Sequence, residues 1–172
     1  MRLVAADDLD RRAESKIQNP KSKMAMLLRP YHPDDLETLY AIDQACFVPG
    51  VSYSQRELKG FIGHRDSQTW IAEDRGQIAG FLIVHREPRK ILHIVTIDVV
   101  KAWRRRKVGS LLMDAAEHWA GAQGLRMIGL ETAQDNLAAQ KFYAARGYTK
   151  VDEIERYYSD GTNAWVMMKE LT

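Results

Sequence analysis

From residue 26 onward, short apolar runs alternate with amphipathic ones. Leu27 and Leu28 form a brief strand closed by Pro30 and Pro33, and Asp34-Asp35 then lead a helix in which Leu36, Leu39, Tyr40, Ile42 and Ala45 recur at helical spacing. A second short helix is expected over 54–62, capped by Ser52 or Ser54, with Val48-Pro49-Gly50 as the loop between the two. The β-prone runs 69–73 and 78–84 flank Asp74-Arg75-Gly76, a turn signal that predicts an antiparallel hairpin. The run 91–100 reads as a central strand, apolar enough to be covered on both faces. A long helix follows over 108–122, with Leu111, Leu112, Ala115, Ala116 and Trp119 on its apolar stripe and Gly124 as its stop. Strand 125–131 leads to a helix that Asp135 caps and Gly147 ends, and strands 148–157 and 164–168 close the chain around Ser159-Asp160-Gly161. The predicted order is β-α-α-β-β-β-α-β-α-β-β.

With 172 residues and 45% hydrophobic content, the chain suffices for one domain core. Residues 1–23 are charged and polar without an apolar period, so they read as a flexible extension, and 24–172 as the folded domain, with Met24 or Met26 suited to open it. A formal charge of +2 is too small a bias to imply nucleic acid or a membrane surface. The single cysteine, Cys46, excludes an internal disulfide, and His64, His85, His93 and His118 fall at no ligand spacing, so no metal is expected. They read as surface or core-edge residues. The acidic start MRLVAADDLDRR is unlike a secretory signal, and no apolar run approaches the ~18 residues of a membrane span. A reducing, cytoplasmic setting is expected.

Two segments carry chemistry. In the first, strand 91–100 passes through Trp103-Arg104-Arg105-Arg106-Lys107-Val108-Gly109-Ser110 directly into the long helix. Such a turn aims unpaired N–H groups and the positive end of a helix dipole at one point, which suits a phosphate. The plainer reading is a solvated basic corner in which Gly109 eases packing and Trp103 packs the turn. In the second, Asn136, Ala139, Gln140 and Tyr143 lie at offsets 0, 3, 4 and 7 and share one helix face after a strand that ends at Glu131. Read plainly, Tyr143 packs with its hydroxyl at the surface and Glu131 is a solubilising carboxylate at a strand end.

Together the two segments resemble the GNAT superfamily of N-acetyltransferases, over about residues 27–171. The first resembles that superfamily's coenzyme A signature, R/Q-x-x-G-x-G/A, with Arg104 first and Gly109 last; Lys107 stands where the first glycine is usual. The second resembles its N-x-x-A-x-x-x-Y helix. The resemblance implies an α/β (α+β) fold, a mixed, mostly antiparallel sheet of six to seven strands flanked by four helices, with two central strands splayed to admit acetyl-CoA. It implies that Ile97 and Val99 pair with the pantetheine, the Val99 amide serving the thioester oxyanion. Arg104, Arg105, Arg106, Lys107, Val108, Gly109 and Ser110 would receive the pyrophosphate, and Asn136 and Ala139 would line the cofactor. Tyr143 would be the acid for the leaving thiolate. Glu131, Tyr143 and the pair Tyr157-Tyr158 also resemble the ribosomal-protein alanine N-acetyltransferase group, known as RimI, which implies Glu131 as base and Tyr157 and Tyr158 as acceptor-binding residues; Tyr53, in the loop before the second helix, is expected to bind the acceptor as well. The loop from Cys46 to Tyr53 departs from that group's pattern.

The chemistry of amines narrows the acceptor. At pH ~7.4 a neutral α-amine of pKa ~7.8 costs only about 0.5 kcal/mol, against about 4 kcal/mol for lysine at ~10.4, so a protein or peptide N-terminus is the easier substrate. Direct transfer is expected, because Cys46 has no evident activating partner in the sequence. A small-molecule amine acetyltransferase would share every cofactor residue and differ in the loops 47–56 and 157–163, and a non-catalytic acyl-CoA or nucleic-acid binder would bind without turnover. Nothing in the sequence separates a monomer from a homodimer.

Overall fold

Capping chemistry sets the helix ends. A computed structural model describes residues 26–47 and 51–171, so the expected extension over 1–23 lies outside the described residues. The first strand, β1 (Leu27–Pro30), leads through a 3₁₀ turn at Pro33–Asp35 into α1 (Leu36–Cys46). Ser54 caps α2 (Gln55–Ile62) in a reciprocal capping box with Glu57, which decides between the two serines. The hairpin is β2 (Ser67–Asp74) with β3 (Gln77–Glu87), followed by β4 (Ile91–Val99) and α3 (Val108–Ala122). Then come β5 (Met127–Ala133), α4 (Leu137–Ala145), β6 (Thr149–Ile154) and β7 (Ala164–Glu170). The cap of α4 is Asn136, not Asp135: its side-chain oxygen accepts from the Ala139 amide at 3.1 Å.

Among the described residues, seven strands form one sheet in the order β1-β2-β3-β4-β5-β7-β6. Only β4 and β5 run parallel; every other neighbouring pair is antiparallel. Pro30 belongs to β1 rather than stopping it, because β1 is an edge strand whose outer side needs no ladder donors. One layer, with Leu112, Met113 and Ala116 of α3, covers Leu82, Val84, Leu92 and Ile128; the other, with Leu39 of α1 and Leu58 of α2, covers Ile71, Phe81 and Ile83. The strand buried on both faces is therefore β3, whose residues 79–84 are all buried, whereas β4 alternates between buried and half-buried. That corrects the expectation for 91–100. A Cβ on Gly80 would come 2.5 Å from the Asp98 carbonyl oxygen, so only glycine lets β3 lie this close to the end of β4.

Two irregularities of β4 make the cleft. Ile83 pairs with Thr96 and Val84 with Ile94, which leaves Val95 as a bulge. Ladder partners share a face, so the bulge hands Thr96 and Asp98 to the layer of α1 and α2, while Leu92 and Ile94 stay in the layer of α3. Parallel pairing with β5 stops at His93–Gly129, and the strands then diverge. The expected splay is present, and it begins at His93.

Candidate active site

The fork between β4 and β5 opens into a cleft of about 400 Å³. Its floor is lined by 93–97 of β4 and 130–133 of β5, one wall by Asn136, Ala139 and Tyr143 of α4, and its mouth by Phe47, Tyr53, Tyr157 and Tyr158. Beyond His93 the β5-facing edge of β4 carries no sheet partner; the Val95 and Val99 carbonyls accept from side chains, and the other backbone groups of that edge are left to an extended ligand. Ile97 lines the cleft, and Val99 lies at the open end of that edge.

At that end the chain turns through 100–107 into α3. Arg105 and Lys107 hold left-handed backbone, with φ of 61° and 66°. Lys107 is the N-cap of α3 and makes no side-chain cap, so the first amides of the helix, at Val108, Gly109 and Ser110, are capped by no side chain. A turn with this alternation collects N–H groups into an anion-binding concavity. Lysine thus adopts the conformation that the usual glycine takes freely, at a cost of about 1–2 kcal/mol. Gly109 itself faces α4, where an added Cβ would touch Phe142 at 3.4 Å.

The basic run divides by role. Arg104 turns back on the strand: its Nε donates to the Val99 carbonyl at 2.9 Å and its guanidinium reaches Cys46 Sγ at 3.5 Å. Arg106 lies over the ring of Trp103, which packs against the core as expected. Cys46 therefore has a partner that the sequence did not disclose. Burial, with the charge of Asp98, nonetheless holds its thiol above the usual range despite Arg104, so it is no ready nucleophile.

Tyr143 is 7% exposed, in edge-to-face contact with Phe142 and Tyr148, and not the surface residue of the plainer reading. Burial, then the charge of Asp98, drives its phenol well above the ordinary value. A phenol so placed stays protonated and holds its proton within the cleft. Gln140, on the same helix, donates to the carbonyls of Ala133 and Gln134 and anchors the strand-to-helix turn.

The residue that sequence reasoning missed is His93. Its Nε2 lies 2.7 Å from Glu131 Oε2, and both side chains line the cleft at the fork. Burial pulls the imidazole down, but the hydrogen bond and charge of Glu131, with the charge of Glu87, outweigh it and raise the His93 pKa. No spacing rule finds this pair, because its members are 38 residues apart on different strands. The only sequence signal is a histidine on a strand that leads into the phosphate-type turn.

Aromatic residues frame the mouth of the cleft. The Tyr53 amide donates to Asp43 at 2.8 Å and its carbonyl accepts from Gln44, which ties the loop to the last turns of α1. Tyr157 and Tyr158 meet edge to face at 5.0 Å, and burial with neighbouring negative charge pushes the Tyr158 phenol up to about 12. Among the described residues no group of His, Cys, Asp or Glu is arranged to hold a metal, and no helix is long and apolar enough to cross a membrane.

Residues 36–148 match the family model described as the acetyltransferase (GNAT) family. An uncharacterised N-acetyltransferase of Methanocaldococcus jannaschii is 25% identical over 84% of this chain and 92% of its own length. The N-alpha-acetyltransferase 30 of Schizosaccharomyces pombe is 29% identical over 66% of this chain and 78% of its own. Among solved structures, Ard1 from Thermoplasma volcanium superposes with a TM-score of 0.78 at 28% identity, covering 86% of this chain and 99% of that one. The ribosomal-protein-S18-alanine N-acetyltransferase of Escherichia coli gives 0.77 at 19% identity over 86% and 94%, a likeness of fold. The unpaired edge of β4 and the helix start without a side-chain cap fit the amides and the phosphates of acetyl-CoA, respectively. The forked sheet, the phosphate-type turn and the match over 36–148 together place this chain in the acetyltransferase (GNAT) family, as an acetyl-CoA-dependent N-acetyltransferase.

Proposed function

We propose that the acceptor is the α-amino group of a peptide or protein N-terminus, and that His93 and Glu131 together form the base. The observation that carries this reading is the 2.7 Å imidazole–carboxylate pair at the fork, with Tyr143 on the wall of the same cleft. Acetyl-CoA supplies an acyl group activated as a thioester. An α-ammonium with a pKa of ~7.8 needs only a mild base, and a carboxylate backed by an imidazole meets that need, directly or through one water. Tyr143 then protonates the departing thiolate, and the free edge of β4, including the Val99 amide, is the candidate donor to the thioester oxygen. Arg105, Arg106, Lys107 and the amides of Val108 to Ser110 are the candidate phosphate partners, and Asn136 and Ala139 flank the pantetheine path. Tyr53, Tyr157 and Tyr158 frame the entry for the backbone of an N-terminal segment. Relatives named N-alpha-acetyltransferase support the same acceptor class. A cytoplasmic site of action and a kinship to the alanine N-acetyltransferase group belong to this proposal.

The test is a panel of peptides with free N-termini, set beside N-blocked peptides bearing lysine and small amines including polyamines. Mass spectrometry would locate the acetyl group. Faster acetylation of the blocked peptides or small amines than of any free N-terminus would overturn the reading.

A further inference from the structure

The base pair does not end at His93. Glu131 and His93 line the catalytic cleft, and on its other side the same imidazole faces Glu87: His93 Nδ1 lies 3.6 Å from Glu87 Oε1. Glu87 does not line that cleft. It lines a second depression of about 600 Å³, together with His64, Asp66, His85 and Lys90, where β3 ends and α3 turns into β5. The row Glu131–His93–Glu87 therefore joins two separate openings. Glu131 and His93 are mostly enclosed, with side chains 20% and 26% exposed, whereas Glu87 is 47% exposed.

We propose that Glu87 is a positioning residue for acetyl transfer, the outer end of a Glu131–His93–Glu87 path that delivers the acceptor's proton to solvent outside the cleft. This rests on the reading of His93 and Glu131 as the base. The stoichiometry requires an outlet. An ammonium and acetyl-CoA become an amide and coenzyme A with release of one proton: the ammonium gives one proton to the base, and the proton lost after attack goes through Tyr143 to the thiolate. With cofactor at one end of the cleft and acceptor at the other, the first proton has no open way out past the substrates. With His93 in its Nδ1–H form, Glu131 receives that proton and donates it to Nε2, the Nδ1 proton passes to Glu87, and Glu87 gives it to bulk water. Once the products leave, the ring returns to its Nδ1–H form by losing the Nε2 proton through the open cleft and regaining one from the side of Glu87, so the path moves a proton outward only while the substrates occupy the cleft. At 3.6 Å the last contact is longer than a hydrogen bond; a rotation of the half-exposed Glu87 side chain or one bridging water closes it. The groups around the imidazole are His85 and Glu87 on β3 and Glu131 on β5, with Tyr53 and Tyr157 lining the same cleft. His85 stands directly opposite His93 in the ladder but is stacked on His64 and bonded to the Phe61 carbonyl, so Glu87 is the group left to take the proton.

The experiment uses the full chain, acetyl-CoA and its fastest peptide acceptor, with Glu87→Gln, Glu87→Ala and Glu87→Asp. In dilute buffer, Gln and Ala should lower kcat about 5- to 20-fold with unchanged KM for acetyl-CoA, Asp should recover most of the rate, and added imidazole or formate should restore the alanine variant. Because Glu87 helps to hold the proton on His93, the acid limb of kcat/KM should move to lower pH in Glu87→Gln even as the plateau falls. Nitrogen-detected NMR of His93 should show the same downward shift with no acceptor present. Full activity of Glu87→Gln and Glu87→Ala without buffer dependence overturns the path, as does a loss that neither aspartate nor buffer repairs. If His93→Ala and Glu131→Gln are themselves fully active, the base reading fails; if they are impaired while the Glu87 variants are not, only the outlet fails.

Discussion

The hydroxyl of Tyr53 donates to the carbonyl of Val95 over 3.3 Å, joining the loop before α2 to the bulged residue of β4. Val95 lies on the floor of the cleft, so this bond ties the Tyr53 loop to that floor. Tyr53→Phe removes the bond and keeps the ring that packs on Phe61. One hydrogen bond is worth about 1 kcal/mol, which predicts a three- to tenfold rise in KM for the acceptor peptide. Acetyl-CoA affinity, measured by calorimetry, should change little. An equal loss of affinity for both substrates would mean that the bond supports the fold rather than the entry.

Tyr143→Phe tests the leaving-group acid. The ring contacts to Phe142 and Tyr148 survive the change, so stability should fall by less than about 1 kcal/mol. Turnover should drop by roughly 10²–10³ with acetyl-CoA affinity nearly constant, as for a group that acts mainly in the transition state. Acyl donors whose thiols leave more easily should show a smaller loss. Full activity at saturating substrate would make the phenol a packing residue and water the acid.

Lys107 sits at φ 66°, where an L-residue is strained and glycine is not. Replacement by glycine relieves about 1–2 kcal/mol in the folded state and returns about 0.4–1 kcal/mol through the unfolded chain. Lys107→Gly should therefore raise the unfolding free energy by up to about 1.5 kcal/mol, and Lys107→Val should lower it. Urea titration measures both. Lys107→Ala keeps the strain and removes the charge, so a loss of acetyl-CoA affinity in alanine and glycine alike would assign the ammonium to phosphate binding.

Asp43 is fully buried, and desolvation pushes its carboxyl up to about 6 even though the Tyr53 amide and Gln44 donate to it. A carboxyl with a raised folded pKa binds its proton more tightly in the folded state. Stability is then greatest below the unfolded value of ~3.9 and declines as pH rises to about 6, with the penalty constant above that. Asp43→Asn keeps an acceptor for the Tyr53 amide and carries no charge. Its stability relative to the parent chain should improve by about 1–3 kcal/mol between pH 4 and pH 7 in denaturant titrations. A pH-independent difference would show that Asp43 stays ionised when buried.

Much of this protein is written locally. The element order follows from apolar periodicity and turn residues, and the capping box at Ser54 and Glu57 lies within four consecutive residues. That Asn136 and Tyr143 share one wall of the cleft was legible because their spacing of seven residues is that of one helix face. The left-handed backbone at Lys107 was not legible, because a lysine does not announce a positive φ. The cap of α4 was misplaced by one residue because Asp135 and Asn136 are equally good caps, and the choice rests on where the chain leaves the sheet.

The pairing of side chains across strands was decided only in three dimensions. Whether His93 meets Glu131 depends on the parallel register of β4 with β5, and a slip of one residue would turn either side chain to the opposite face. The bulge at Val95 moves Thr96 and Asp98 from one layer to the other without any change in the alternation of buried residues along β4. From sequence alone such a strand is indistinguishable from a regular one. By itself, then, the sequence determined the elements, their order and the residues that lie close along one helix or turn, because those follow from backbone periodicity. Register, bulge and fork arise from how strands distant in the chain pack against two helical layers, and they alone decided that a histidine with no motif around it meets Glu131 at the fork of the cleft.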